Sequence, residues 1–104
     1  MVPPLRIVAV VKPACLDAVM EALCPLGPAD VLVEQVRGYG RQKGHLDAYE
    51  EGLGQGGFLP KVRLDFTVAP EMVDAVVEAV RRGARTGRIG DGKVFVQEVE
   101  PGPA

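Results

Sequence analysis

Glycines and cationic side chains occur together in one nine-residue segment, Arg85-Thr86-Gly87-Arg88-Ile89-Gly90-Asp91-Gly92-Lys93. Glycine lets the backbone approach a phosphate closely, and consecutive N–H groups can form an anion-binding nest. Lys93 would add a point charge, and Arg88 would add a planar pair of donors. Because Gly-Asp-Gly is also typical of a tight turn between a helix and a strand, the residues alone leave phosphate binding and a plain turn both open.

A second unusual segment, Gly40–Gly57, shows neither helical nor strand periodicity, and it contains six of the thirteen glycines and the single histidine. Loops of this length are uncommon in small domains and usually carry function, so we expect function here. The lone His45 is more typical of a solvated loop residue than of a metal ligand. Lys61, just beyond the segment, falls on the polar side of an alternating pattern and would be exposed with or without a ligand.

Periodicity on both sides of this segment predicts the elements that position it. Four runs read as strands: Leu5–Val11, Val31–Tyr39, Phe58–Val68 and Lys93–Val99. Two apolar stripes at helical spacing predict helices, one at Leu16, Val19, Met20 and Leu23, the other at Met72, Val73, Val76, Val77 and Val80. This order is the split βαβ pattern of a ferredoxin-like α+β sandwich, here as a single domain over residues 1–104.

Composition restricts the class of protein further. Twelve basic and fourteen acidic side chains give a net charge of −2, which argues against nucleic acid as a partner. The sequence shows neither a signal peptide nor a long apolar run, so we expect a cytoplasmic protein.

Cys15 and Cys24 are expected on one helix as buried or half-buried free thiols. Two helices would cover one sheet face and leave apolar residues such as Val8, Val10 and Phe95 on the other, which predicts a closed homo-oligomer.

Several segments, taken together, resemble the PII signal-transduction family over residues 5–99. They are Val10-Val11-Lys12-Pro13, Gly38 to His45, Phe58 to Val62, and Thr86 to Val96. The resemblance implies a homotrimer with adenine nucleotides in the clefts between subunits. It also implies that the long loop, the T-loop at about residues 40–57, docks onto a membrane transporter or a metabolic enzyme.

The resemblance also implies roles for single residues. Those that match nucleotide-binding positions are Arg41, Gly87, Arg88, Ile89, Gly90, Asp91, Gly92 and Lys93, with Leu32 and Asp65 near the adenine. Those that match the effector site for 2-oxoglutarate are Gly40, Gln42, Lys43, Gly44 and Lys61. Gln42 would ligate magnesium only together with ATP. No cofactor is obligatory, and the ligands are ATP, ADP or AMP, with or without magnesium, 2-oxoglutarate or bicarbonate.

Two departures from the family pattern keep alternatives open. Gly54 stands where some members carry a nucleotidylated tyrosine, so we expect no uridylylation at the loop tip. Residues 98–104 supply Glu98, Glu100 and prolines where the family has two phosphate-binding arginines, so we expect weakened triphosphate binding.

The resemblance favours a non-catalytic nucleotide-sensing regulator of nitrogen metabolism. The alternative within the family is a variant linked to carbon, bicarbonate or metal transport that senses ADP or AMP. A weak ATPase has no evident general base except Asp91. A metal-binding structural trimer would not need Arg41, Gln42, Lys61 and Lys93.

Overall fold

A computed structural model of the protein describes residues 2–39, 58–88 and 91–99. Within these residues, the strands and α-helices follow in the order β1 (Leu5–Val11), α1 (Leu16–Leu23), β2 (Ala29–Tyr39), β3 (Phe58–Val68), α2 (Val73–Ala84) and β4 (Gly92–Glu98). Short 3-10 turns precede both helices and follow α1, and each of them contains a proline at its first or second position. Proline suits these positions because its fixed φ favours the start of a helical turn and no N–H is needed there.

The four strands form one antiparallel sheet in the spatial order β2-β3-β1-β4. Both helices pack on one face of this sheet, where the odd-numbered residues of β1 meet buried side chains of α1 and α2. The predicted ferredoxin-like α+β fold is therefore confirmed, with a long connection between β2 and β3.

The core follows the alternation of the strands. Val62, Leu64, Phe66 and Val68 of β3 are buried, whereas Arg63 and Asp65 between them are only half-buried. The helices contribute one apolar stripe each, with Val19 and Leu23 from α1 and Val76, Ala79, Val80 and Ala84 from α2. Burial of these apolar side chains is the main favourable term in folding.

The two helices approach most closely at Gly83. An added Cβ at this position would lie 2.7 Å from the Cα of Val19 and 2.9 Å from the carbonyl oxygen of Ala18. These contacts are with backbone atoms, which cannot rotate away as a side chain does. Only glycine therefore fits where α2 crosses α1.

Three sequence expectations need correction. The two cysteines do not share a helix, because Cys15 and Cys24 lie in the 3-10 turns that flank α1, and Cys24 is exposed rather than buried. Strand β2 begins at Ala29, two residues earlier than expected, because Ala29 already pairs with Thr67 of β3. An irregularity between Ala29 and Leu32, with a φ of 54° at Asp30, separates this pair from the rest of the strand. Strand β4 begins and ends one residue earlier than expected.

The face of the sheet away from the helices, here called the open face, retains apolar area. Val8 and Val10 are half-buried, Leu32 on β2 is 65% exposed and Phe95 on β4 is 49% exposed. β2 and β4 are the two edge strands, so exposed apolar side chains lie at both edges. No helix in the described part of the chain has the length and hydrophobicity needed to cross a membrane.

Candidate functional site

The described residues of the connection between α2 and β4, here called the glycine loop (residues 86–88 and 91–92), are held by the carboxylate of Asp91. The backbone N–H groups of Thr86 and Gly87 donate to Asp91 Oδ2 at 2.8 and 3.0 Å, and the Thr86 hydroxyl donates to Oδ1. The N–H of Arg88 donates to Thr86 Oγ1 at 3.3 Å. Gly87 has a φ of 82°, a left-handed conformation that favours glycine.

These bonds change how the glycine loop can bind an anion. The N–H groups of Thr86, Gly87 and Arg88 already have acceptors within the loop, so they do not form an open anion nest. The loop is instead ordered around its own anion, Asp91. A phosphate at this end of the sheet would be bound chiefly by cationic side chains rather than by these three backbone groups.

Asp91 is also the centre of a charged cluster. Lys12, which follows β1, donates from Nζ to Asp91 Oδ1 and to Thr86 Oγ1, both at 3.2 Å. The bonds from Thr86, followed by those from Lys12 and Gly87, hold the pKa of the Asp91 carboxyl well below its usual range. A carboxylate this weakly basic is a poor general base.

Two further lysines, Lys61 and Lys93, lie near Lys12 and Asp91. Burial lowers the pKa of Lys61 on β3, and the neighbouring ammonium groups of Lys12 and Lys93 lower it further, against the opposite effect of Asp91. Lys12, Lys61 and Lys93, here called the lysine cluster, therefore share one electropositive region at the end of the sheet. An anion bound there would relieve the repulsion among them.

Lys61 lies at the base of the long connection between β2 and β3. Its side chain passes over Gly38, where an added Cβ would be 3.4 Å from the Lys61 Cγ. Further along the same two strands, the rings of Tyr39 and Phe58 pack with centroids 5.0 Å apart. The described residues on either side of positions 40–57 therefore form a paired two-stranded ribbon that also carries Lys61.

A cavity of about 280 Å³ adjoins the glycine loop on the helix side of the sheet. Its walls come from the last turns of α2, the end of β1 and the start of β4. Asp91, Gly92 and Lys93, which the sequence predicts at a phosphate site, line it together with Arg81 and Arg85. Gly92 is required where it stands, because its φ is 152° and an added Cβ would lie 2.7 Å from the carbonyl oxygen of Val10.

The two residues predicted near the adenine lie on the open face, directly opposite one another in the β2–β3 pairing: Leu32 and Asp65. Asp65 is not an isolated carboxylate, because both of its oxygens accept hydrogen bonds from the Arg6 guanidinium, one of them at 2.9 Å from Nε. This ion pair lowers the pKa of Asp65. β3 and β1 separate Leu32 on β2 from Lys93 on β4, which corresponds to roughly 14 Å at the usual strand spacing.

The structure thus brings together Gly87, Arg88, Asp91, Gly92 and Lys93 in one loop, with Lys61 beside it. Seven of the predicted site residues, and the T-loop itself, lie outside the described residues: Gly40, Arg41, Gln42, Lys43, Gly44, Ile89 and Gly90. Within the described residues, no group of three His, Cys, Asp or Glu side chains is placed to hold a metal ion.

Sequence reasoning missed four members of this region: Lys12, Arg81, Arg85 and Thr86. Lys12 and Thr86 were noted only as parts of longer motifs, although both contact the Asp91 carboxylate. Arg81 and Arg85 lie at the end of α2, where cations commonly compensate the helix dipole and so do not by themselves indicate a site. Their spacing of four residues, just before the glycine loop, is the signal that could have placed them on one wall of a site.

The protein is therefore a ferredoxin-like domain whose sheet ends in a basic, glycine-rich region. The family model described as "Nitrogen regulatory protein P-II" matches residues 5–101. The chain is 47% identical over 95 residues to a nitrogen regulatory protein P-II of Rhizobium meliloti (strain 1021), covering 91% of this chain and 85% of that protein. It is 46% identical over 95 residues to the protein of that name from Pasteurella multocida (strain Pm70), with the same coverage.

Among solved structures, the fold is similar to that of Arabidopsis thaliana PII bound to citrate. The TM-score is 0.72 at 31% identity, covering 95% of this chain and 77% of that one. The chain belongs to the nitrogen regulatory protein P-II family. The predicted family resemblance is confirmed.

Proposed function

We propose that this protein is a non-catalytic, adenine-nucleotide-sensing regulator, and that the phosphates of the nucleotide bind at the glycine loop and Lys93. One observation carries this proposal: Lys12, Lys61 and Lys93 converge on a loop that Asp91 has already ordered. A pre-formed cationic region offers several charge-assisted bonds to a phosphate chain without paying to order the loop on binding. Arg88, and Arg41, Ile89 and Gly90 outside the described residues, complete the proposed phosphate site.

We propose a homotrimer as the functional unit. Of the two residues proposed near the adenine, Leu32 on β2 is separated by two strands from β4 and the glycine loop of the same chain, and Asp65 on β3 is separated by one. The β2 edge of one copy beside the β4 edge of the next would bring them close to a neighbouring glycine loop. The exposed apolar side chains at both edges, including Leu32 and Phe95, support this arrangement because association would remove them from water.

The proposed effector is a small dicarboxylate, 2-oxoglutarate, bound with the nucleotide at the base of the T-loop. Lys61 would supply the fixed positive charge, together with Gly40, Gln42, Lys43 and Gly44. The similar Arabidopsis PII is bound to citrate, a tricarboxylate, so a relative with this fold holds a polycarboxylate. Magnesium, where present, would be held mainly by phosphate oxygens, as is usual for this ion, with Gln42 as an additional ligand.

The proposed output is control of a membrane transporter or metabolic enzyme in the cytoplasm, most directly in nitrogen metabolism, through the T-loop. Bound ligand at the base of a loop can set its conformation and hence its fit to a partner. The low basicity of Asp91 supports a binding role over ATP hydrolysis, since its carboxylate is engaged with Thr86, Gly87 and Lys12.

Calorimetric titration with ATP, ADP and AMP, each with and without magnesium, 2-oxoglutarate and bicarbonate, tests the proposal. We expect saturable nucleotide binding, with 2-oxoglutarate tightening the binding of ATP only in magnesium. Synergy of ADP or AMP with bicarbonate instead would favour the carbon-transport variant of the family. Absence of binding by all three nucleotides would overturn the proposed function.

The assembly is tested separately by light scattering. The wild type is expected at three times the mass of one chain, and Phe95→Glu at a lower mass because it places a charge in the proposed interface. Val2→Glu is the matched control, since Val2 is also exposed but lies outside both edge strands. A monomeric wild type would contradict the trimer.

A further inference from the structure

The cavity beside the glycine loop has an unusual balance of charge. Arg81 and Arg85 line it from α2, and Lys93 borders it from β4, where it pairs with the open-face residue Val10. Asp91 is the one carboxylate among its lining residues. That carboxylate is already engaged by Lys12 and by the N–H groups of Thr86 and Gly87. The three cations of the cavity wall therefore exceed the negative charge available within it.

The three cations also lack protein partners in the part of the chain that the structure describes. The ion pairs found there join Arg6 to Asp65, Lys12 to Asp91 and Arg63 to Glu34. Arg81, Arg85 and Lys93 take part in none of these pairs and in none of the hydrogen bonds found among the same residues. Three cations around one cavity repel one another, and a bound anion would reverse that repulsion.

The arginines differ from one another in where they point along α2. Arg81 and Arg85 are four residues apart and line the cavity, next to the buried stripe of Val80 and Ala84. All three arginines are exposed, but Arg82, which lies between the other two in sequence, does not line the cavity. Compensation of the helix C-terminal dipole would use any of the three, so it does not account for two of them facing β4.

The shape of the cavity indicates the class of ligand. Its volume of about 280 Å³ accommodates a chain of phosphate groups, and Val11, Val80 and Val94 form an apolar floor beneath the cationic rim. Arginine is suited to such a ligand because its planar guanidinium binds phosphate oxygens in pairs. Helix α2 ends at Ala84 and Arg85 is extended, so the chain turns from these arginines directly into the glycine loop.

We infer that Arg81 and Arg85 bind the terminal phosphates of a di- or triphosphate chain whose first phosphate lies at the glycine loop. This inference rests on the proposed function for the placement of the nucleotide. It assigns to α2 a part in ligand selection: the arginines discriminate by the number of phosphates, so they contribute to the affinity for ATP and ADP and not to the affinity for AMP.

The test compares the double variant Arg81→Gln/Arg85→Gln with the control Arg82→Gln in calorimetric titrations with ATP, ADP, AMP and inorganic tripolyphosphate. In the double variant, ATP and tripolyphosphate affinity should fall by about a hundredfold or more, at roughly one charge-assisted contact per arginine. AMP affinity should stay within about twofold of the wild type. Arg82→Gln should bind all four ligands like the wild type. Thermal unfolding shows whether both variants are equally folded.

Each result decides the question. If the wild type binds ATP and the double variant matches Arg82→Gln, the inference fails and the proposed function stands. An equal loss for AMP and ATP would also overturn it, because the arginines would then not act on the terminal phosphates. If the wild type binds no nucleotide, the proposed function fails. In that case the tripolyphosphate titration tests the arginine site by itself. Binding of tripolyphosphate by the wild type that is lost in the double variant supports the arginine site, and absence of tripolyphosphate binding by the wild type overturns the inference.

Discussion

The backbone N–H of Gly87 donates to the Asp91 carboxylate at 3.0 Å across the turn that connects α2 to β4. An acidic residue thus occupies the position of an anion within a loop whose composition is typical of phosphate binding. An internal charge therefore holds the backbone of Thr86 and Gly87 without a ligand. Lysine and arginine side chains around it, rather than its first N–H groups, are then left to bind phosphate.

Replacing Asp91 by Asn tests this ordering role. The amide keeps one acceptor but loses the charge that attracts Lys12 and the two N–H groups, so the loop should be less ordered. We expect nucleotide affinity to fall by about tenfold, measured by calorimetry. Asp17→Asn, an exposed carboxylate on α1, is the control for the change in net charge. Unchanged affinity in D91N would contradict the ordering role.

The same carboxylate predicts a pH dependence of stability. A carboxyl group whose pKa is depressed in the folded state stabilises the fold fully above its unfolded pKa of about 3.9, and this contribution is lost progressively as pH falls from there through the folded pKa. The free energy of unfolding of wild type and D91N should therefore differ by a constant amount above about pH 5, and the difference should begin to shrink below about pH 4 and be smallest at the lowest pH measured. Urea unfolding from pH 3 to 7 measures this, and a difference independent of pH would count against it.

Lys61 reports on the lysine cluster. Because Lys93 lowers the pKa of Lys61, Lys93→Gln should raise that pKa, as should binding of a polyphosphate beside it. An NMR titration of isotopically labelled lysine side chains follows the Lys61 ammonium directly. The comparison with Arg82→Gln separates a local effect from a general change in charge. A Lys61 pKa that is the same in wild type and K93Q would show that the two ammonium groups do not interact.

Gly83→Ala tests the helix crossing. Helix propensity alone would stabilise this variant by about 1 kcal/mol. We expect the opposite sign, a loss of about 1–3 kcal/mol, because the new Cβ would overlap the backbone of Val19. Chemical denaturation gives the free energy of unfolding, and an increase in stability would mean that the helices separate at low cost.

Periodicity predicted most of the fold. The limits of β1 and β3 agree with the structure, because Val62, Leu64, Phe66 and Val68 alternate cleanly with polar residues and admit one register. The start of β2 was missed because the irregularity at Asp30 is set by pairing with β3, a contact distant in sequence. The exposure of Cys24 follows from the end of α1 at Leu23, which a short 3-10 turn with Pro25 decides.

The sequence predicted several residues of the site but not the hydrogen bonds and ion pairs between them. Glycine and lysine spacing pointed to residues 86–93, yet Asp91 was grouped with the ligand-binding residues although its carboxylate binds Thr86, Gly87 and Lys12. The partner of a carboxylate depends on tertiary contacts that spacing does not reveal. For the same reason Arg81 and Arg85 could be placed on a helix from sequence but not beside Lys93.

Titration of magnesium-ATP into the wild type and into Lys93→Ala, with Arg82→Ala as the control for loss of one positive charge, shows whether Lys93 binds the phosphates of a nucleotide. We expect saturable binding by the wild type and by R82A, and an affinity lower by about tenfold to a hundredfold in K93A, since a charge-assisted bond to phosphate contributes about 1.5–3 kcal/mol. Equal affinity of K93A and wild type, or no binding by the wild type, would contradict this role of Lys93.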